Sequence, residues 1–314
     1  MNYRNLGIVA LLIWVFLPSV LDRHTVELIV FAGIYAIAGL GVGVLAGQCG
    51  IINLAQATFY GIGAYASAYC TLKLGYSAPI GFFVGILICS LIALTLGWPI
   101  LRLTGYFLAL ATLAIGIIMN ALFFEWSWLT GGELGIGGIP KLRLGEFLFD
   151  TPIKMYYLVW GVAFLCFLFV NRLVSSPTGL SLRAIRDAPD AARSLGIDLH
   201  RLRVGIFVLC ASLGSLAGSL FAHHASFVSV HSFTVERSIV FLLIPVLGGI
   251  TSIPGIVIGS LFVTFIPEIL SKVGEFHQVL FGLALICVVV AAPAGIVGMI
   301  SILCSRIALR FSFK

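Results

Sequence analysis

Gln48, Asn53 and Gln56 place three primary amides in one glycine-interrupted segment, Gly47–Tyr65, GQCGIINLAQATFYGIGAY. An amide brings two N–H donors and a carbonyl acceptor without a charge. Gly47, Gly50, Gly61 and Gly63 break what would otherwise be one long apolar run, so a continuous helix is not expected across the segment. Irregular backbone at membrane depth is tolerated only where it is packed in protein or lines a cavity, because hydrocarbon offers no hydrogen bonds. The segment is therefore a candidate solute path, with Gln48, Asn53 and Gln56 lining or bracing it. An equal alternative is that the glycines allow close helix packing and the amides satisfy the freed backbone groups.

Other reactive side chains carry less. His223, His224 and His231 fall in HHASFVSVHSFTVER, read as an external loop. Neighbouring histidines point apart on a helix, and no Cys or carboxylate joins them at a ligand spacing, so an ordinary loop is expected and no metal site. No Ser-His-Asp, Cys-His or HExxH arrangement is present, which leaves catalysis without a candidate. TGGELGIGGIP is glycine-rich, but no strand precedes it and no Lys-Ser/Thr follows, so it is not a P-loop. Seven cysteines, Cys49, Cys70, Cys89, Cys166, Cys210, Cys287 and Cys304, lie singly in apolar stretches and read as small buried hydrophobes.

What must position these residues follows from composition. The 314 residues are 61% hydrophobic and 10% charged, with a mean hydropathy of +1.15, whereas a soluble globule carries about 25% charged residues. The chain reads as all-α, a polytopic helical membrane protein forming a single transmembrane domain over 1–314. Spans are expected at Leu6–Val20, Val26–Ala46, Phe59–Leu74, Pro79–Trp98, Tyr106–Phe124, Met155–Asn171, Val204–Ala222, Ser238–Gly248, Gly255–Leu270 and Val279–Ala291. That is about ten, with interrupted or re-entrant joints at Gly47–Asn53 and Gly248–Gly255. The first is read as an uncleaved span, because no small-x-small cleavage site follows it.

The net charge of +6 and pI near 9.0 reflect topology and not nucleic acid. Arg172–Arg203 alone holds six of the eighteen basic residues, and cytoplasmic loops accumulate such residues. Placing this loop inside also puts Arg4, Arg102, Arg306, Arg310 and Lys314 inside, with both termini cytoplasmic. Glu125–Lys154 then lies outside, with Trp126 and Trp128 at the headgroup level. Within the basic loop one short helix is expected over Pro189–Leu195, with Asp187 as its cap, Pro189 in its first turn and Gly196 as its stop. An amphipathic linker helix without a partner, or contacts to anionic lipid, would suit the same residues.

Several motifs carry a resemblance. Asp190-Ala191-Ala192, three residues, then Gly196 is similar to the E-A-A-x3-G loop of ABC importer permeases, with Asp in place of Glu. The segment from Gly47 to Tyr65 resembles the start of the permeases of branched-chain amino acid ABC importers. Arg102-Leu103-Thr104-Gly105-Tyr106-Phe107, Thr130-Gly131-Gly132 to Ile136, Ser176-Pro177-Thr178-Gly179 through Ala184-Ile185-Arg186, and Leu247-Gly248-Gly249 with Pro254-Gly255 and Gly259 resemble that family in order. The matches run from about Gly33 to Pro293. The resemblance implies a permease of an inner-membrane importer that moves leucine, isoleucine and valine, or urea or another small polar solute in related systems. It implies that Asp190, Ala191, Ala192 and Gly196, in the loop 172–203, couple to an ATPase. It further implies a second homologous permease, two ATP-binding subunits that use ATP, and a periplasmic solute-binding protein. This chain would bind no cofactor and catalyse no reaction. A stand-alone secondary carrier is the alternative from another class, but Glu27, Glu125, Glu236 and Glu268 all fall near span ends, whereas ion-coupled carriers place an ionisable residue mid-membrane. A membrane enzyme would need a site that the sequence does not offer.

Overall fold

The computed structural model describes residues 21–271 without a break, together with Pro18 and scattered positions between 279 and 299. The expected spans Leu6–Val20 and Val279–Ala291 lie outside the continuous range. Each of the other eight is a helix. They are α1 (Arg23–Gly43), α2 (Gln56–Leu72), α3 (Ala78–Ile100), α4 (Tyr106–Glu125), α6 (Pro152–Ser175), α9 (Leu199–Ala225), α10 (Val235–Gly248) and α11 (Ile253–Ser271), with the short α5 (Ser127–Thr130) between α4 and α6. The protein is a helical, multi-pass membrane protein.

Six helices among the described residues have the length and apolarity to cross a membrane: α1 with its extension to Gln48, α3, α4, α6, α9 and α11. The other two are shorter. α2 has 17 residues and α10 has 14, so at about 1.5 Å per residue they reach roughly 26 and 21 Å, less than the roughly 30 Å of hydrocarbon. Both adjoin a broken joint and are packed by neighbours.

The core is built on α1, α2 and α9. α1 buries all but one residue from Ala32 onward, while α3, α4 and α6 turn Phe83, Phe107, Phe164 and Phe169 outward to where lipid would lie. Between α2 and α9 the backbones touch. A Cβ at Gly63 would stand 2.1 Å from the Ser215 carbonyl oxygen, and one at Gly218 would stand 1.8 Å from that of Tyr60. Gly61 and Gly63 therefore do not interrupt the helix, in keeping with the expected span Phe59–Leu74 and with the close-packing alternative. They lie inside α2 and let it close on its neighbours.

The two ends of the bundle differ. At one end, the loop from Trp126 to Thr151 and the turn after α9 pair as strands, with β1 (Ile136–Gly137) antiparallel to β4 (Phe227–Val228), beside a hairpin of β2 (Arg143–Leu144) and β3 (Phe147–Leu148). At the other end, reached by the 24 residues of α6, the basic loop folds into α7 (Pro177–Asp187) and α8 (Pro189–Ser194).

The contact at Gly63 sets a stability prediction. Gly63→Val should destabilise the fold by on the order of 1–3 kcal/mol through overpacking, read as a lower thermal unfolding midpoint. Gly205→Ala, at a position with open space around it, should leave the midpoint unchanged or slightly raised.

Candidate functional site

The amide segment sits where the first long helix comes apart. α1 widens into a π-helical turn over Val44–Gln48, a form often found at functional sites. Gly50 then takes a left-handed φ of 72°, and helix resumes only at Gln56. The joint expected at Gly47–Asn53 is thus present. Its loose backbone groups are met by side chains. Asn53 Oδ1 accepts from Ala55 N–H at 2.9 Å, Thr112 Oγ1 from Leu54 N–H at 3.1 Å, and Ser238 Oγ from Ala57 N–H at 2.9 Å.

Asn53 and Gln56 come together; Gln48 stands apart from them. Asn53 Nδ2 donates to Gln56 Oε1 at 3.4 Å, Cys210 Sγ donates to the same oxygen at 3.1 Å, and Gln56 Nε2 donates to the carbonyls of Cys210 (3.2 Å) and Ala38 (3.4 Å). This network ties α2 to α1 and α9 at a wholly buried point. Gln48, also buried, donates to the Thr251 carbonyl at 3.3 Å in the second joint. In this conformation, then, all three amides are bonded within the chain.

The two joints are packed on each other. Gly47 lies so close to the second joint that a Cβ there would be 1.8 Å from the Ile250 carbonyl oxygen, which leaves room only for glycine. α7 closes over the pair. Arg183 donates to Gln48 Oε1 at 3.3 Å and to the Val174 carbonyl at 3.1 Å, and Arg186 donates to the Gly47 carbonyl. Arg186 also meets Asp187 at 2.8 Å, and that guanidinium holds the Asp187 carboxyl below its ordinary pKa.

Sequence reasoning missed α7 and the role of these two arginines. The signals were Pro177 after Ser176, a helix start, and the i, i+3 spacing of Arg183 and Arg186, which puts both on one face. Asp187, expected as the cap of the next helix, instead ends α7; Ala188 takes the cap position of α8 and no side chain caps it. The stop at Gly196 is as expected, with a left-handed φ of 80° and Ile197 N–H bonded back to the Ala192 carbonyl at 3.2 Å. Within the sequence-singled motif, Asp190, Ala191 and Gly196 are exposed, but Ala192 is only 1% exposed and packs inward.

Two of the three histidines are not in a loop. His223 and His224 form the last turn of α9, and only His231 lies beyond it. His223 Nδ1 lies 2.8 Å from the Pro140 carbonyl and Nε2 lies 2.9 Å from Ser67 Oγ. A carbonyl only accepts, so Nδ1 carries the proton and Ser67 donates to Nε2. This is the geometry of a Ser-His pair, yet both side chains are buried, so it anchors the loop at Pro140 and exposes no nucleophile. Among the described residues no group of three His, Cys, Asp or Glu is placed to hold a metal ion. Cys49, Cys70, Cys89 and Cys210 are buried as expected, Cys166 is half-buried, and Cys287 is exposed.

Residues 24–289 match the family described as "Branched-chain amino acid transport system / permease component". The chain belongs to that family. It is 31% identical to the High-affinity branched-chain amino acid transport system permease protein LivM of Escherichia coli (strain K12), over 94% of this chain and 75% of the relative. It is 29% identical to LivH of the same strain, over 84% and 91%. It is 26% identical to the Autoinducer 2 import system permease protein LsrC of Escherichia coli O9:H4 (strain HS), over 92% and 86%. No solved structure matches the chain.

Gln56→Met keeps the volume and removes the hydrogen bonds. It should lower stability by about 2 kcal/mol, seen as a lower unfolding midpoint, and should also slow solute uptake per folded complex in reconstituted vesicles. Uptake unchanged after normalisation would reduce the network to helix packing alone.

Proposed function

We propose that this chain is a membrane-spanning permease subunit of an ATP-driven importer that carries small amino acids, in the first place leucine, isoleucine and valine, across a bacterial inner membrane. The observation that carries this reading is the family match over residues 24–289 together with relatives named for branched-chain amino acid transport. A relative named for Autoinducer 2 import supports a second reading, in which the solute is another small polar molecule such as urea. The chain contains no G-x-x-x-x-G-K-[ST] sequence, so ATP would be hydrolysed by two partner subunits, working with a second homologous permease and a periplasmic solute-binding protein.

Coupling is assigned to α8 and the turn after it. Asp190 and Ala191 are exposed, and Leu195 is 80% exposed in a strongly polar loop, as is Leu180 of α7 at 64%. Bare leucines outside the bilayer mark a docking surface for another protein, here the ATPase. Ala192 and Gly196 give α8 its seat and its stop. A push on α8 reaches α7 through Ala188, and α7 holds the joints through Arg183 and Arg186. Asn53 and Gln56 brace the solute route from behind, and Gln48 links its two joints.

Orientation follows from charge: the end bearing α7 and α8 is cytoplasmic, both termini lie on that side, and the strand-paired end faces out.

Leu195→Glu, a change on an exposed side chain, should leave the chain folded but detach the ATPase and abolish substrate-stimulated ATP hydrolysis. Normal stimulated hydrolysis by the purified variant complex would overturn the assignment. A membrane-impermeant thiol reagent applied to intact cells should label a cysteine placed at Glu133 and spare one at Ser181; the reverse pattern would mean that the orientation is inverted.

A further inference from the structure

At the arginine-rich end, where α3 finishes and α9 begins, the surface folds into a cleft of about 490 Å³, within the range of roughly 300–1,000 Å³ usual for small-molecule sites. Its wall carries Arg102, Arg193, His200 and Arg203, with Thr104 beside them. Asp198 is the only carboxylate of the lining, and it is engaged, accepting from the Arg201 backbone N–H at 3.0 Å and pairing with the Arg201 side chain at 3.0 Å. The cleft therefore keeps a surplus of positive charge.

Two nitrogen atoms there are buried without a hydrogen-bond partner among the described residues, Arg203 Nε and His200 Nε2. Buried polar atoms are normally bonded, and an arginine Nε–H can only donate, so the cleft calls for an acceptor of negative charge. The His200 ring packs edge-on against Trp98, with centroids 4.6 Å apart.

The rim decides what kind of anion fits. Trp98 stands against the lining residue His200, Leu103 lies between the lining residues Arg102 and Thr104, and Tyr106 and Phe107, 72% and 68% exposed, follow Thr104 at the start of α4. A cationic cleft at the end of two membrane-spanning helices, bordered by bare aromatic and aliphatic side chains, matches a phosphate that carries acyl chains. We propose that this cleft binds the phosphate of a phospholipid with net negative charge, its headgroup held by Arg102, Arg203 and His200 and its chains lying along Trp98, Tyr106 and Phe107. Arg193 and Ile197, from α8 and the turn that follows it, line the same cleft, so the bound lipid touches that segment directly.

The test uses the full-length chain purified with its partner subunits in neutral detergent. Short-chain phosphatidylglycerol, phosphatidylcholine with the same acyl chains, and inorganic phosphate are each titrated, and the apparent affinity is read from the shift in unfolding midpoint. Phosphatidylglycerol should bind about tenfold tighter than phosphatidylcholine, with inorganic phosphate inactive at the same concentrations. Arg102→Gln and Arg203→Gln should each weaken phosphatidylglycerol by about tenfold, the effect of one charge-assisted hydrogen bond. Lys154→Gln, which removes the same charge at the opposite end, should change nothing. Arg102 is exposed, so its variant stays informative if Arg203→Gln fails to fold. Equal affinity for the two lipids, or a preference that survives in Arg102→Gln, overturns the proposal. Inorganic phosphate acting as well as phosphatidylglycerol overturns it in favour of a soluble anion.

Discussion

Hydrocarbon offers no hydrogen bond, and that single constraint accounts for most of this structure. A helix that breaks inside a bilayer leaves N–H and C=O groups that must be met from within the protein. Here two irregular joints, the π-helical turn and loop from Val44 to Ala55 and the loop Gly249–Ser252, are pressed together so that one can help satisfy the other. Further partners for the loose backbone come from side chains: Asn53 within the first joint, and Thr112, Ser238 and Arg186 from outside it. The shortness of α2 and α10 follows, because each is the remainder of a span after a break has taken its share. So does the mixture of donors around the joints: neutral hydroxyls and amides deep in the bundle, guanidiniums only at the end where water is near.

Much of this was legible in the sequence. Eight apolar runs gave eight helices because length and hydropathy report directly on the solvent a helix crosses. Glycine with amides in GQCGIINLAQ marked the first joint, and paired glycines at 248 and 249 marked the second. Pattern could not distinguish a glycine that breaks a helix from one that lets two helices touch. Gly50 and Gly63 look alike in sequence; the difference is that Gly50 takes a left-handed φ of 72° with the Arg186 side chain against it, whereas Gly63 stays helical with the Ser215 backbone against it. The meeting of Arg186 with Gly47 was equally out of reach, since nothing local in either segment points to the other.

The coupling motif illustrates the same limit. Its spacing located α8 and puts Ala188, Ala192 and Leu195 on one face at i, i+4 and i+7, but a six-residue helix is too short for that face to be buried as a whole. Packing buries Ala192 while leaving Ala191 and Leu195 out. The Ser67–His223 pair is the complementary case: residue types that suggest catalysis, with the serine wholly buried, used to fasten a loop.

The strand pair that joins Ile136 to Val228 and Gly137 to Phe227 has a consequence in time. During synthesis the first strand leaves the ribosome with its partner not yet made, and at about 5 to 20 residues per second the wait for residue 228 is on the order of 5 to 20 s. For that interval the loop after α5 has no edge to join. α6 through α9 must be threaded and packed before the two segments can meet, so this clasp closes only after the helices on either side of it have been inserted in the right order.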